Sequence, residues 1–289
     1  MIRPGMMELP SGLVDAVLER LDVPSPAADR DGLARIYRAW CQSVPFDNVL
    51  KRLWLEEKWP GRLPGSTPVD FFRDWLEYRT GGTCWAGNGA LHALLRALGF
   101  RVELGAATML ASPDTPGPNH GTVVVALDEG RFIADASILS GEPLRLPDPG
   151  ETPPPPAALP AVQVVDGRLA ILWRTVRAPE GFPCRIERIG LDAGEWDALH
   201  QHTAAWSPFN YATSARLNRG ADAIGYGAGQ IYRIGTAGAL AVEPADRAAM
   251  IRFLVEVLDI DGGVAHRLPE DRPVPPRPDG FAPPHAAPG

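Results

Sequence analysis

Near residue 100 the chain changes period, and that change restricts its fold more than any other feature. Before it, apolar residues recur at three- and four-residue spacing in GLVDAVLERL (12–21), DGLARIYRAWCQ (31–42), PVDFFRDWLEY (68–78) and WAGNGALHALLRALGF (85–100). This spacing predicts amphipathic helices. Pro68 stands where a first helical turn tolerates it, and Gly99 stops the last helix. After residue 100, RVELGAATML (101–110), GTVVVALDEG (121–130) and RFIADAS (131–137) are β-branched or alternating runs, with DEG (128–130) as a hairpin turn. VQVVDGRLAILWR (162–174) reads as a second hairpin around its Asp-Gly, and CRIERIGL (184–191) as a further strand. The segment 191–206 carries Asp192 and Glu195 at capping-box spacing, which starts a helix. Strands around 230–235 and 239–243 and a last helix over 244–259 complete the pattern. Helices, then strands, then a mixed end describe an α+β chain rather than an alternating α/β one.

Composition removes several classes of function. A net charge of -7 with no basic run argues against nucleic acid as a partner. No apolar stretch reaches the roughly 20 residues that span a bilayer. The start, MIRPGMMELPSG, lacks the apolar core of a signal peptide, so the expected compartment is the cytoplasm. Cys41, Cys84 and Cys184 are odd in number and far apart, which fits reduced thiols and offers neither a disulfide framework nor a metal motif. His200 and His202, at i and i+2 on one helix, face apart and make a poor metal pair. Of the 31 prolines, many fall in 141–160, read as an extended connector, and in 267–289, read as a mostly disordered tail.

One cysteine has an unusual setting. In TGGTCWAGN (80–88), Cys84 follows two glycines and precedes a helix. A free thiol ionises near pH 8.5, and only the thiolate is a good nucleophile. A helix N-terminus stabilises an anion, and Gly81 and Gly82 let the backbone turn tightly beside the sulfur. A histidine would complete the activation. His92 lies about 12 Å up the same helix at roughly 1.5 Å per residue, too far to touch the thiol. His120 stands at the mouth of a strand in NHGTVVVAL, and Asp135 lies at the end of the next strand, across the hairpin. Neighbouring strand ends bring such residues together, giving nucleophile, base and orienting carboxylate in the order Cys84, His120, Asp135. The bland reading of each residue is a core thiol, a surface imidazole and a turn-forming aspartate.

These motifs together resemble the arylamine N-acetyltransferase family. The family's R-G-G-x-C-x-E-x-N is matched by T-G-G-T-C-W-A-G-N, which keeps Gly81, Gly82, Cys84 and Asn88. Its P-F-E-N-L resembles VPFDNVL, with Pro45, Phe46 and Asn48 kept and Asp47 in place of Glu. WSPF (206–209) resembles a later cleft-lining segment, and the likeness covers roughly residues 10–260. It implies a papain-like cysteine-triad fold. Residues 1–100 would form a helical bundle carrying the nucleophile, 101–190 a β-barrel domain carrying the histidine and aspartate, and 191–266 an α/β lid, before the tail at 267–289. It also implies a ping-pong reaction in which an acyl group passes from acetyl-CoA, a co-substrate rather than a bound cofactor, to Cys84 and then to a small-molecule amine such as an arylamine. Phe46, Trp85 and Phe209 would contact substrate, with no metal.

The chain departs from the family where Thr80 replaces the motif's Arg, Ala86 its Glu, and Asp135-Ala136-Ser137-Ile138 the usual D-V-G-F. Arg79 stands one residue early. Three other readings therefore stay open. One is an amide synthase of natural-product biosynthesis that takes its acyl group from an acyl carrier protein. Another is a thiol hydrolase or transglutaminase-like enzyme, and the last a binding module without chemistry.

Overall fold

A computed structural model describes residues 8–110, 115, 117–235 and 238–284. Helices α1 (Ser11–Leu21) and α2 (Arg30–Ser43) lead to a two-residue strand β1 (Phe46–Asp47), then α3 (Val49–Glu56), α4 (Pro68–Tyr78) and α5 (Cys84–Ala97). Asp29 caps α2 by accepting from the Gly32 amide, and Thr67 caps α4 by accepting from the Asp70 amide. The bundle is held by aromatic packing: Trp40 stacks on Phe71 at 5.9 Å and meets Phe72 edge-on at 6.0 Å. Helix α3 has no counterpart among the expected helices. It buries Lys51 and Arg52 together with Val49, Leu50 and Leu53, and at eight residues it is too short to show a sustained apolar period.

Strands β2 (Arg101–Met109), β3 (His120–Leu127), β4 (Gly130–Ile133), β5 (Leu144–Leu146), β6 (Ala161–Val165), β7 (Arg168–Thr175) and β8 (Ala178–Ile189) form one antiparallel sheet in the order β5-β4-β3-β2-β8-β7-β6. Its two edge strands approach each other, so the sheet nearly closes into a barrel. Ala107, Val124, Ile133, Ile171 and Cys184 are buried in its core. Helix α5 packs on β2 and β3.

After α6 (Ala193–His202), strands β9 (Ser214–Arg219), β10 (Asp222–Gly227), β11 (Gln230–Ile234) and β12 (Leu240–Pro244) form a second antiparallel sheet. Its far edge is β1, which pairs with β9, so a strand from the helical third completes the sheet of the last third. Neither β9 nor β10 was anticipated: SARLNR and DAIGYG are poor in β-branched residues. The expected helix over 244–259 is α7 (Arg247–Arg252) followed by a π-helical turn at Phe253–Val257, and α8 (Gly262–Arg267) comes after it.

The expectation of a disordered tail is corrected for 268–284. The Arg52 guanidinium, whose side chain is fully buried, pairs with Asp271, and the Arg272 amide donates to the Tyr211 carbonyl at 2.9 Å. Phe281 stacks on His202 with ring centres 4.2 Å apart. A buried cation requires a carboxylate, and the tail supplies it. Among the described residues, no helix is long and apolar enough to cross a membrane.

Candidate active site

Cys84 is the first residue of α5, after the extended N-cap Thr83. The loop before it is fixed from β1. Phe46 forms a parallel bridge with Gly82, and the Asp47 amide donates to the Gly82 carbonyl at 3.2 Å. Asp47 accepts from the Gly81 amide at 2.6 Å and the Val49 amide at 2.9 Å. Its carboxyl is pushed up by burial to about 6, with those two amides acting in the opposite sense. Neither glycine has a positive φ, so the expected tight turn is corrected. What they supply is close approach: a Cβ on Gly81 would lie 1.8 Å from the Pro45 carbonyl oxygen.

His120 opens β3, and Asp135 lies two residues beyond β4, whose Ile133 pairs with Val124 of β3. This register brings His120 Nε2 to 2.8 Å from Asp135 Oδ2, with both side chains almost wholly buried. The other carboxylate oxygen accepts from the amides of Ser137 at 2.8 Å and Ile138 at 2.9 Å. The Cys84 thiol donates to the carbonyl of Asn119, the residue before His120, at 3.9 Å, and the sulfur lies close enough to the imidazole to act on its charge. Burial alone would lower the basicity of His120, but the charge and hydrogen bond of Asp135, with the Cys84 contact, raise it well above the ordinary histidine value. Burial alone would likewise raise Asp135, but His120 and the Ile138 amide hold it below the usual carboxylate range. A thiol, a basic imidazole and an ionised carboxylate so connected can form a thiolate and attack a carbonyl carbon.

Asn88, one helical turn beyond Cys84, ties the three together. Its side-chain amide donates to the Gly121 carbonyl at 2.7 Å and to Asp135 Oδ1 at 3.4 Å, and its oxygen accepts from the Ala136 amide at 2.9 Å. The sequence offered Asn88 only as a matched motif letter. Lys51 lies beside the site. Its ammonium donates to the Thr203 carbonyl and hydroxyl at 3.1 and 2.9 Å, and burial pulls it down to about 7 although the nearby Cys84 acts to raise it. Asp47, Lys51, Gly82, Thr83 and His200 line a small cavity there.

Phe46 and Phe209 come together edge-on at 5.3 Å, and Asn48 fixes the backbone of Phe209 by donating to its carbonyl at 2.7 Å. Trp85 does not join them and packs instead beside Cys84 against α6. It is 1% exposed and meets the ring of Trp196 at 4.8 Å, because the residue after Cys84 points across α5 toward β3 and α6. Arg79 does not replace the motif's arginine. It donates to the Leu76 carbonyl at 2.7 Å and lies 3.6 Å from Asp259. Thr80 and Ala86 are packed inside, and a Cβ on Gly82 or Gly65 would stand 2.8 or 2.7 Å from that of Ala86. A larger charged pair at these two positions would have no room.

Residues 29–163 match a family model described as N-acetyltransferase. Over 123 residues the chain is 37% identical to the arylamine N-acetyltransferase of Escherichia coli (strain K12), covering 42% of this chain and 41% of that protein. The match thus spans about two fifths of the length of the curated relatives. The fold is similar to the solved arylamine N-acetyltransferase of Mycobacterium marinum, with a TM-score of 0.70 and 17% identity over 89% of this chain and 95% of that one. A structure of the M. marinum protein in complex with CoA gives a TM-score of 0.70 and 18% identity, over 87% and 96% of the two chains.

Proposed function

We propose that the chain, which matches a family model described as N-acetyltransferase over residues 29–163, moves an acetyl group from acetyl-CoA to an arylamine through an acyl-Cys84 thioester. The observation that carries this reading is the buried His120 imidazole bonded at 2.8 Å to the Asp135 carboxylate, with the Cys84 thiol on the carbonyl of the residue before it. The CoA complex of the similar M. marinum protein supports a CoA thioester as donor.

In the first half-reaction His120 takes the thiol proton, and the thiolate attacks the thioester carbonyl of acetyl-CoA. The tetrahedral adduct collapses by breaking the bond to the CoA sulfur, which leaves with the proton from His120. In the second half-reaction the amine attacks the acyl-Cys84 carbonyl, His120 removes a proton from its nitrogen, and the amide departs as the Cys84 sulfur is released and reprotonated. Asp135 keeps the imidazole in one orientation and stabilises its cation in both halves. Burial of Cys84, 7% exposed, guards the thioester from water between them.

The test is intact-mass analysis after exposure to acetyl-CoA. The expected result is one added acetyl group in the native chain and none in Cys84→Ala, with CoA release that depends on an aromatic amine. Equal CoA release without amine would instead indicate a thiol hydrolase.

A further inference from the structure

Arg216, in the middle of β9, is 6% exposed, yet its guanidinium makes no hydrogen bond or ion pair with any described residue, and its Nε is buried and unpartnered. An arginine carries five N–H donors and is never neutral in a protein, so a buried one without an acceptor is a costly arrangement to keep. Arg52, by contrast, has Asp271. What surrounds Arg216 is aromatic: its guanidinium carbon lies 4.6 Å from the ring centre of Trp173 and 5.8 Å from that of Phe46. Ring faces favour a cation but offer no acceptor atom.

The register places this cation beside Phe46, whose strand also pairs with the loop before Cys84. Phe46, Arg216, Gly225 and Tyr232 are directly opposed across β1, β9, β10 and β11, so they form one row on one face of the sheet. Gly225 leaves a gap in that row, filled by Tyr232: a Cβ there would lie 2.5 Å from the tyrosine hydroxyl oxygen. The tyrosine therefore lies across Gly225 toward Arg216. On the other side, Phe46 bridges to Gly82, two residues before Cys84. The backbones of Arg216 and Gly82 are thus two strand spacings apart, roughly 10 Å. The charge of Arg216 also acts on Asp135 of the triad.

We propose that Arg216, with Tyr232 beside it, is a specificity residue that pairs with a carboxylate carried by a substrate held at Cys84. The inference rests on the acyl-transfer reading for its substrates, though not for the anion site itself. A planar guanidinium fork fits a carboxylate with two parallel hydrogen bonds, and removal from water strengthens the pair. The carboxylate has two possible sources: the ring of the amine acceptor, or the far end of a dicarboxylic acyl group on the donor.

The experiment compares the full-length native chain with Arg216→Met in two substrate pairs. Para-aminobenzoate is set against para-aminobenzamide with acetyl-CoA as donor, and malonyl-CoA against acetyl-CoA with aniline as acceptor. In one pair, the ratio of kcat/KM for the charged over the neutral member should fall by about 30-fold in the variant, as expected for loss of a charge-assisted hydrogen-bond pair. A fall in the acceptor pair assigns the carboxylate to the amine, and a fall in the donor pair to the acyl group. Arg216→Lys, which keeps the charge without the fork, should recover part of the ratio. Ratios that stay within about threefold of the native chain in both pairs overturn the proposal, because a desolvated charge pair cannot be lost so cheaply.

Calorimetric binding of benzoate, malonate and benzamide gives a readout without turnover. At least one of the two anions should bind the native chain more tightly than the variant, whereas benzamide should not distinguish them. If no acyl-CoA modifies Cys84 but anion binding follows Arg216, the acyl-transfer reading fails and the anion site stands. If acylation proceeds and neither anion distinguishes the two chains, the anion site fails. An Arg216→Met chain that melts lower and loses all substrates equally would show a structural arginine and also overturn it.

Discussion

Asp135 uses its two oxygens for different tasks. One faces His120 and the other accepts the amides of Ser137 and Ile138. Asn at this position keeps the backbone contacts but turns either a carbonyl oxygen or an NH2 toward the ring, without the charge that sustains an imidazolium. Asp135→Asn is therefore expected to slow Cys84 acylation on the order of 10³–10⁴-fold, read by timed intact mass, while leaving the fold in place. Lys51 gives a pH-dependent counterpart. Its folded pKa of about 7 lies below the ordinary lysine value, so the folded state disfavours its cation. The resulting penalty is full below pH 7 and fades as pH rises toward the unfolded value, since the unfolded chain binds more protons across that window. Lys51→Met should gain stability relative to the native chain as pH falls from about 9 to 7, by about 2 kcal/mol in urea titrations, and an unchanged difference would refute the assignment.

At the scale of elements, the site depends on how closely α5 lies against β3. Gly121 makes this contact possible: a Cβ there would lie 2.4 Å from the ring of Trp196 and 2.8 Å from that of Trp85. Both partners are buried indole rings with nowhere to move. Gly121→Ala is expected to push β3 away from α5, stretching the Asn88 bond to the Gly121 carbonyl and separating His120 from Cys84. The cost should be about 1–3 kcal/mol in denaturant unfolding, with a larger proportional loss of acylation than of stability. The same paired glycine contacts explain why the motif around Cys84 is glycine-rich: Gly81 and Gly82 admit the backbone of β1 and the methyl of Ala86, and no turn is involved.

Across the whole molecule, distant segments converge on the site. Strand β1 joins the second sheet, and the tail returns over α3 to place Asp271 against Arg52. Asp271 also accepts from the Thr213 amide at 2.8 Å, so the tail fixes the start of β9 as well as the arginine. Asp271→Ala leaves a buried guanidinium without its carboxylate and should destabilise the chain by about 1–3 kcal/mol in thermal or urea unfolding, less than for a fully enclosed pair because Asp271 is partly exposed.

Periodicity alone determined much of this protein. The helices at 11–21, 30–43, 68–78 and 84–97 and the hairpins that follow were legible because one-sided burial leaves a repeating apolar pattern and hairpins mark their own turns, whereas Cys84, His120 and Asp135 were picked out as candidates by their places at a helix start and strand ends together with the family resemblance. Only the tertiary structure could decide the rest. Helix α3 is only eight residues long and turns charged side chains inward, and β9 and β10 take their order from pairing with β1 rather than from their own residues. That Trp85 packs edge-on against Trp196 of α6 could not be read from its place beside Cys84. Arg216 carried no signal at all in the chain. That its Nε finds no hydrogen-bond acceptor among the described residues is a property of the packed interior, where an unsatisfied donor is costly.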